Sequence, residues 1–166
     1  MKHILFSLSV LTLLSAALPV SAKDTMMETF FRGRTTATGS FSAVNGVKRQ
    51  FDVILTGRVR GDVLTVREDF VYSDGERDRK TWRFVRTGPS TYSGTREDVV
   101  GTTTVRVDGN TARFNYLVDL DPGPGRNIVR FFDKMVLAND GRTISNTATV
   151  WKYVFPVARV KVDFKR

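Results

Sequence analysis

The sequence predicts an all-β protein, an up-and-down antiparallel β-barrel of about eight to ten strands. Three observations predict it. Segments that alternate apolar and polar residues recur from Val47 to Lys165. Turn signals such as Asn45-Gly46, Asp74-Gly75, Asp108-Gly109 and Asp140-Gly141 separate nearly all neighbours. No convincing helical period follows residue 22, and no connection is long enough for a parallel crossover. Each strand then has one apolar and one charged face. Closing the sheet on itself buries the first and removes the open edges.

The chain opens with a segment of a different kind. Met1-Lys2-His3 precede an apolar run from Ile4 to Val20, and Val20-Ser21-Ala22 end it on small residues. That order reads as a secretory signal peptide over 1–22, cleaved after Ala22. The run is shorter than the roughly 20 residues a membrane-spanning helix needs. Residues 23–166 form a single domain.

Export agrees with the chemistry available. The sequence has no cysteine and a single histidine, His3, inside the leader. Disulfides, thiol nucleophiles, Cys/His zinc sites and Ser-His-Asp triads are therefore excluded, and no cofactor or metal is expected. A lipid anchor on a leader cysteine is excluded as well. The formal charge is +9, of which Lys2 leaves with the leader, so the exported chain keeps +8. Its Lys and Arg stand singly beside Asp or Glu, the pattern of a solvated mixed-charge face. Nucleic acid is not expected as a partner. Peripheral contact with an anionic membrane surface is compatible with the charge.

Taken in order, Asp24 to Phe31 carries a Met26-Met27/Phe30-Phe31 cluster, either one helical turn or a plug on the core. Thr35 to Ala43 is a strand of small and hydroxylic residues, with Gly39 where a bend or bulge would sit. Val47 to Leu55 faces Val47, Phe51, Val53 and Leu55 one way. Arg60-Gly61-Asp62 is a turn, although the tripeptide also matches an integrin-recognition motif. The best hairpin follows, two alternating segments from Gly61 to Phe84 about Asp74-Gly75. Gly88-Pro89-Ser90 leads into a strand from Tyr92 to Val100, and a short strand carries Val105 and Val107. Ala112 to Leu120 aligns Phe114, Tyr116 and Val118. Asp121 to Gly125 is a loop, with the glycines of a phosphate loop but no helix or Lys-Ser/Thr behind it. Ile128 to Leu137, Thr143 to Tyr153 and Val157 to Lys165 complete the set.

An outer-membrane barrel alternates in the same way. It is disfavoured by the Phe164-Lys165-Arg166 terminus and by aromatic residues that do not gather at strand ends. The preferred architecture is a lipocalin-like (calycin-like) barrel, with a sandwich or half-open sheet behind it.

Four polar residues fall on apolar faces. Glu68 sits among Leu64, Val66, Phe70 and Tyr72, and Asp133 among Val129, Phe131, Met135 and Leu137. Asn146 and Lys152 share a row with Ile144, Ala148 and Val150. The 128–137 strand is ambiguous, because Ile128, Phe132 and Val136 occupy its other face. A buried carboxylate must be paired, hydrogen-bonded or neutral. Lys152 and Asn146 are the expected partners of Glu68 and Asp133. The group forms either a satisfied network that fixes strand register or the polar floor of an apolar ligand cavity. On the second reading Phe70, Tyr72, Trp82, Phe84 and Tyr116 line the cavity, and Glu68, Asp133, Asn146 and Lys152 contact the ligand.

Together, Phe30-Phe31 with Gly33, Gly39 with Phe41, Glu68-Phe70-Tyr72-Asp74-Gly75 at alternate spacing, Trp82, Asp98 with Gly101, Gly109-Asn110, Tyr116, Phe132-Asp133 with Met135, and Asn146-Ala148-Lys152 resemble the bacterial domain of unknown function 3833. The resemblance covers essentially the whole exported chain. It implies an exported envelope protein of Gram-negative bacteria, and it tilts the ligand toward a lipid. Many members are lipoproteins; without cysteine, this chain is expected free in the periplasm. The family has no established activity. A periplasmic binder of a hydrophobic molecule is therefore the expected function. A solid-cored accessory protein and a carboxylate-based lipid enzyme using Glu68 or Asp133 as general base stand as alternatives.

Overall fold

A computed structural model describes residues 23–121 and 125–166. The proposed leader lies outside the described residues, as do 122–124 of the predicted loop. One short helix, α1 (Met26–Phe31), precedes eleven strands: β1 (Gly33–Ala43), β2 (Lys48–Arg60), β3 (Val63–Tyr72), β4 (Arg77–Gly88), β5 (Thr91–Thr95), β6 (Val99–Val100), β7 (Thr103–Asp108), β8 (Thr111–Asp119), β9 (Ile128–Leu137), β10 (Thr143–Lys152) and β11 (Phe155–Lys165). All ladders are antiparallel. Ten strands close in the order β1-β2-β3-β4-β5-β7-β8-β9-β10-β11, and β11 returns to β1 from Thr36↔Lys165 to Ala43↔Ala158. The two-residue β6 only extends the β8 ladder, through Val99↔Val118 and Val100↔Leu117. The predicted up-and-down barrel is the fold.

The apolar rows point inward as the alternation requires. Leu55, Leu64, Val66, Trp82, Phe84, Val105, Ala112, Val118, Ile144 and Val150 are buried. Arg106, Arg113, Lys134, Arg159 and Lys161 stand exposed on the outward face. A charged exterior is the reverse of what surrounding hydrocarbon tolerates.

Two expectations about local structure change. Gly39 makes no bulge, since its register runs unbroken through Gly39↔Phe51 and Gly39↔Val162. Its missing Cβ makes room for the Phe51 ring, whose nearest carbon would lie 2.3 Å from one. The 92–100 segment is not one strand. It breaks where Arg96 turns its guanidinium onto Asp98 and the Glu97 carboxylate accepts the Thr81 N–H at 2.9 Å.

The lead-in is both a helical turn and a plug. Thr25 and Glu28 form a capping box, Thr25 Oγ1 accepting the Met27 N–H and Glu28 Oε2 the Thr25 N–H. Met27, Phe30 and Phe31 insert into the core. The plug lies close against β2 at Gly57, where a Cβ would sit 1.7 Å from the Phe31 carbonyl oxygen. The Arg166 guanidinium donates to the Thr29 carbonyl and holds the helix from the other side.

A buried ion cluster ties α1 to the wall. Glu28 Oε1 accepts from the Tyr92 hydroxyl at 2.5 Å and from Arg86 Nη2, while Oε2 accepts from Thr25 N and Oγ1 at 2.9 and 2.8 Å. Burial alone would raise the Glu28 pKa. The Tyr92 and Thr25 bonds outweigh it and hold the carboxyl below its ordinary value. Among the described residues no helix covers the opposite end of the barrel.

Candidate functional site

The barrel encloses a cavity of ≈ 370 Å³ that runs from Met27 and Phe31 at the plugged end to Arg49 and Tyr72 toward the open one. That volume falls within the range of small-molecule pockets. Its deep part is apolar. Aromatic rings panel its wall: Trp82 stacks on Phe84 with centroids 5.1 Å apart, and Tyr116 stacks on Phe131 at 5.4 Å. Phe70 and Tyr72 continue the wall toward the open end, packed on Phe51 at 5.7 Å each. These rings meet because inward positions two residues apart on β4 and β8 project along one face of each strand.

Two carboxylates enter this space from opposite sides of the ring. Glu68, in the middle of β3, lies opposite Leu55 and Lys80 in the neighbouring ladders. Its Oε2 lies 3.7 Å from Arg96 Nη1, outside hydrogen-bonding reach. Arg96 extends inward from the end of β5, with its guanidinium 4.7 Å from the Trp82 ring centroid and 5.7 Å from that of Tyr116. Its Nε and Nη2 donate to Asp98 at 2.6 and 3.1 Å, and Lys80 Nζ also reaches Asp98, at 2.9 Å. Burial pushes the Glu68 pKa up to about 7; Arg96 pulls against it and Asp98 adds to it.

Asp133 enters from β9, where it faces Phe114 on β8 and Ala148 on β10. Its Oδ1 accepts a hydrogen bond from Asn146 Nδ2 at 2.7 Å. The Tyr116 hydroxyl approaches the carboxylate without completing a hydrogen bond to Oδ2. Burial raises the Asp133 pKa to about 6 against the pull of Asn146, Tyr116 and Arg96. Four buried side-chain polar atoms have no hydrogen-bond partner among the described residues. Three of them, Glu68 Oε2, Asp133 Oδ2 and Asn146 Oδ1, belong to residues that line this cavity. Native interiors rarely leave such atoms unmade, so their clustering marks a place rather than a defect.

Eight of the nine residues singled out by alternation line the cavity: Glu68, Phe70, Tyr72, Trp82, Phe84, Tyr116, Asp133 and Asn146. Lys152 does not, and it partners neither carboxylate. It stands at the last position of β10, beyond the irregularity at Val150/Trp151, and its ammonium donates to Asn127 Oδ1 at 2.7 Å. At a strand end an ammonium reaches the rim without the cost of entering the core. The cation that serves Glu68 is Arg96, which sequence reasoning left on the solvated face. Its signal was the parity it shares with buried Tyr92 and Gly94. Among the described residues no cluster of three acidic or imidazole side chains is placed to hold a metal.

The open rim has a composition of its own. Six of the eight large hydrophobic residues exposed on the described surface stand there, Val44, Val47, Leu120, Tyr153 and Val154 on its turns and Phe155 at the start of β11. Neighbouring turns are laced together, with Val44 N donating to the Val157 carbonyl at 2.9 Å and Lys152 reaching Asn127. Tyr153 projects from a left-handed backbone position (φ 55°) and is 90% exposed.

Comparison with known proteins places this barrel among solved folds. It is similar to the crystal structure of Rv2717c from M. tuberculosis, with TM-score 0.59 and 12% identity over 82% of this chain and 92% of that one. It is also similar to the S-type phycobiliprotein lyase CPES from Guillardia theta, with TM-score 0.60 and 6% identity over 87% and 92%. At such identities the likeness is one of fold. No curated protein matches the sequence. The model of a family described as a protein of unknown function, DUF3833, matches residues 16–166 and so takes in every strand and every cavity residue above: the chain belongs to the DUF3833 family.

Proposed function

We propose that this chain is a periplasmic, lipocalin-like binding protein for a hydrophobic or lipid-like small molecule. One observation carries the reading: an aromatic-lined cavity of ≈ 370 Å³ whose wall holds three buried polar atoms without partners. Apolar walls supply affinity through burial, and a few convergent polar groups orient one end of the guest. A cavity of this size also argues against the solid-cored alternative. The likeness of fold to a phycobiliprotein lyase is compatible with this reading. Mass spectrometry of protein purified from its native periplasm, paired with titration of the fluorescent probe N-phenylnaphthylamine, tests the reading. A co-purifying molecule that the probe displaces is the expected result. Absence of both would overturn it.

The rim supports a source for the guest. Its apolar tips, with Lys48, Lys152 and Arg159 nearby and a net positive chain, suit an anionic bilayer surface. Flotation with phosphatidylglycerol vesicles is expected to carry the protein, and Tyr153→Ser with Phe155→Ser to release it. Equal flotation of the double variant would remove the rim from the account.

A second reading rests on Glu68 alone. A carboxyl that titrates at about 7 is poised as a general base must be. Glu68→Gln would then abolish turnover of a lipid substrate while leaving its binding intact.

A further inference from the structure

The polar end of the guest can be read from the cavity wall, on the reading just given. The three unpartnered atoms, Glu68 Oε2, Asp133 Oδ2 and Asn146 Oδ1, are all oxygens. Asn146 has already turned its amide nitrogen toward Asp133, so its oxygen faces elsewhere. A buried group left unpaired is a standing cost that a complementary guest recovers.

Charge on the lining points the same way. Four carboxylates, Glu68, Asp78, Asp98 and Asp133, stand against three cations, Arg49, Lys80 and Arg96. Every one of those cations is engaged. Arg96 is forked onto Asp98 and covered by Trp82, Lys80 bridges Asp78 and Asp98 at 3.1 and 2.9 Å, and Arg49 is held by Asp74 and Glu76 at 2.8 and 2.7 Å. The wall therefore has acceptors to spare and no free cation. Acids therefore outnumber bases on this lining, in a chain whose net charge is +9.

We propose that the guest's buried polar end is a hydrogen-bearing nitrogen, best a cationic amine, received by Glu68 from β3, Asp133 from β9 and Asn146 from β10. The same wall disfavours a carboxylate or phosphate end, because its cations are already engaged by acids. Beyond burial, Arg96 and Asp98 after β5, Lys80 on β4 and Asp133 on β9 set the protonation of Glu68, and Asn146 on β10, Tyr116 on β8 and Arg96 set that of Asp133. A bound amine holds both acids ionised, so it displaces protons where they would otherwise carry them.

The test compares probes that share one alkyl chain: dodecylamine, dodecanol and dodecanoate, titrated calorimetrically into the whole protein with Trp82 fluorescence as a second readout. Dodecylamine is expected to bind at least about tenfold more tightly than dodecanoate, the equivalent of one charge-assisted hydrogen bond. Its binding should release protons near pH 6 and strengthen toward pH 8, as the raised values of Glu68 and Asp133 require. Asp133→Asn and Glu68→Gln, each checked for an unchanged circular dichroism spectrum, should cut the amine's advantage over dodecanoate to less than about twofold, and an advantage that persists in both variants overturns the inference. Dodecanoate binding as tightly as the amine overturns the inference while the cavity reading survives. Failure of all three probes overturns the cavity reading, and this inference falls with it.

Discussion

The molecule contains two buried carboxylate–arginine clusters that differ in completeness. At the plugged end, Glu28 receives Tyr92, Arg86 and both donors of Thr25, and its carboxyl is held below its ordinary pKa. In the cavity, Glu68 stands 3.7 Å from Arg96 with one oxygen unpartnered, and its pKa is raised to about 7. The residue types are alike and the energetics are opposite. A fully bonded ion pair repays its desolvation and fastens the helix to the wall; a half-bonded one leaves a standing cost. One cluster serves the fold, and the other belongs to the binding site proposed above.

The largest expected effect breaks the completed cluster. Glu28→Ala strands Arg86 and Tyr92 and removes the helix cap, so thermal unfolding should show a loss of about 3–5 kcal/mol. A loss below about 1 kcal/mol would erase the distinction between the two sites. Next, and with opposite sign, Glu68→Gln and Asp133→Asn should leave stability unchanged or raise it by about 1–3 kcal/mol at pH 8, because each removes a buried charge.

Acid titration of stability separates the clusters further. Glu28 contributes fully above its unfolded value near 4.5 and loses that contribution as pH falls through its lower folded value. Glu68 and Asp133 behave in reverse. They cost nothing below their unfolded values of 4.5 and 3.8, and the cost grows as pH rises to about 7 and about 6. Urea midpoints should therefore decline from about pH 5 to pH 8 in the natural protein and stay level when both acids are replaced. An effect of comparable size but opposite sign is expected from Gly57→Ala, which pushes the plug off β2 at a cost of about 1–3 kcal/mol. The smallest belongs to Lys152→Ala, within about 0.5 kcal/mol, since its one bond lies at the rim.

Strand periodicity made one cluster legible in the sequence and left the other dark. Glu68, Asp133 and Asn146 break an apolar row, and a period of two assigns a side to each residue without any knowledge of neighbours. Arg96 obeys the same parity, yet a basic residue beside Glu97 and Asp98 looks solvated until the strand is seen to end there. Lys152 also obeyed the parity and was still misplaced, because parity gives direction and not depth along the barrel. Glu28 and Tyr92 lie 64 residues apart and meet only when the plug seats, so no local pattern announces them. The hairpins, by contrast, were readable one by one because each turn lies within a few residues of the strands it joins.

That locality leaves a single seam. Every ladder in the ring joins strands that follow closely in the chain, apart from β1 with β11, where Thr36 meets Lys165. The entropy of closing a long loop is therefore concentrated in one ladder, and until it forms the nascent sheet has two raw margins. Their composition suits the wait. β1 offers threonine, serine and glycine, while β11 sets Arg159, Lys161, Asp163 and Lys165 at alternate positions, so an approaching foreign strand meets charge or little to grip. Its two margins resist strangers yet fit each other, which lets an unfinished barrel remain a monomer long enough to zip.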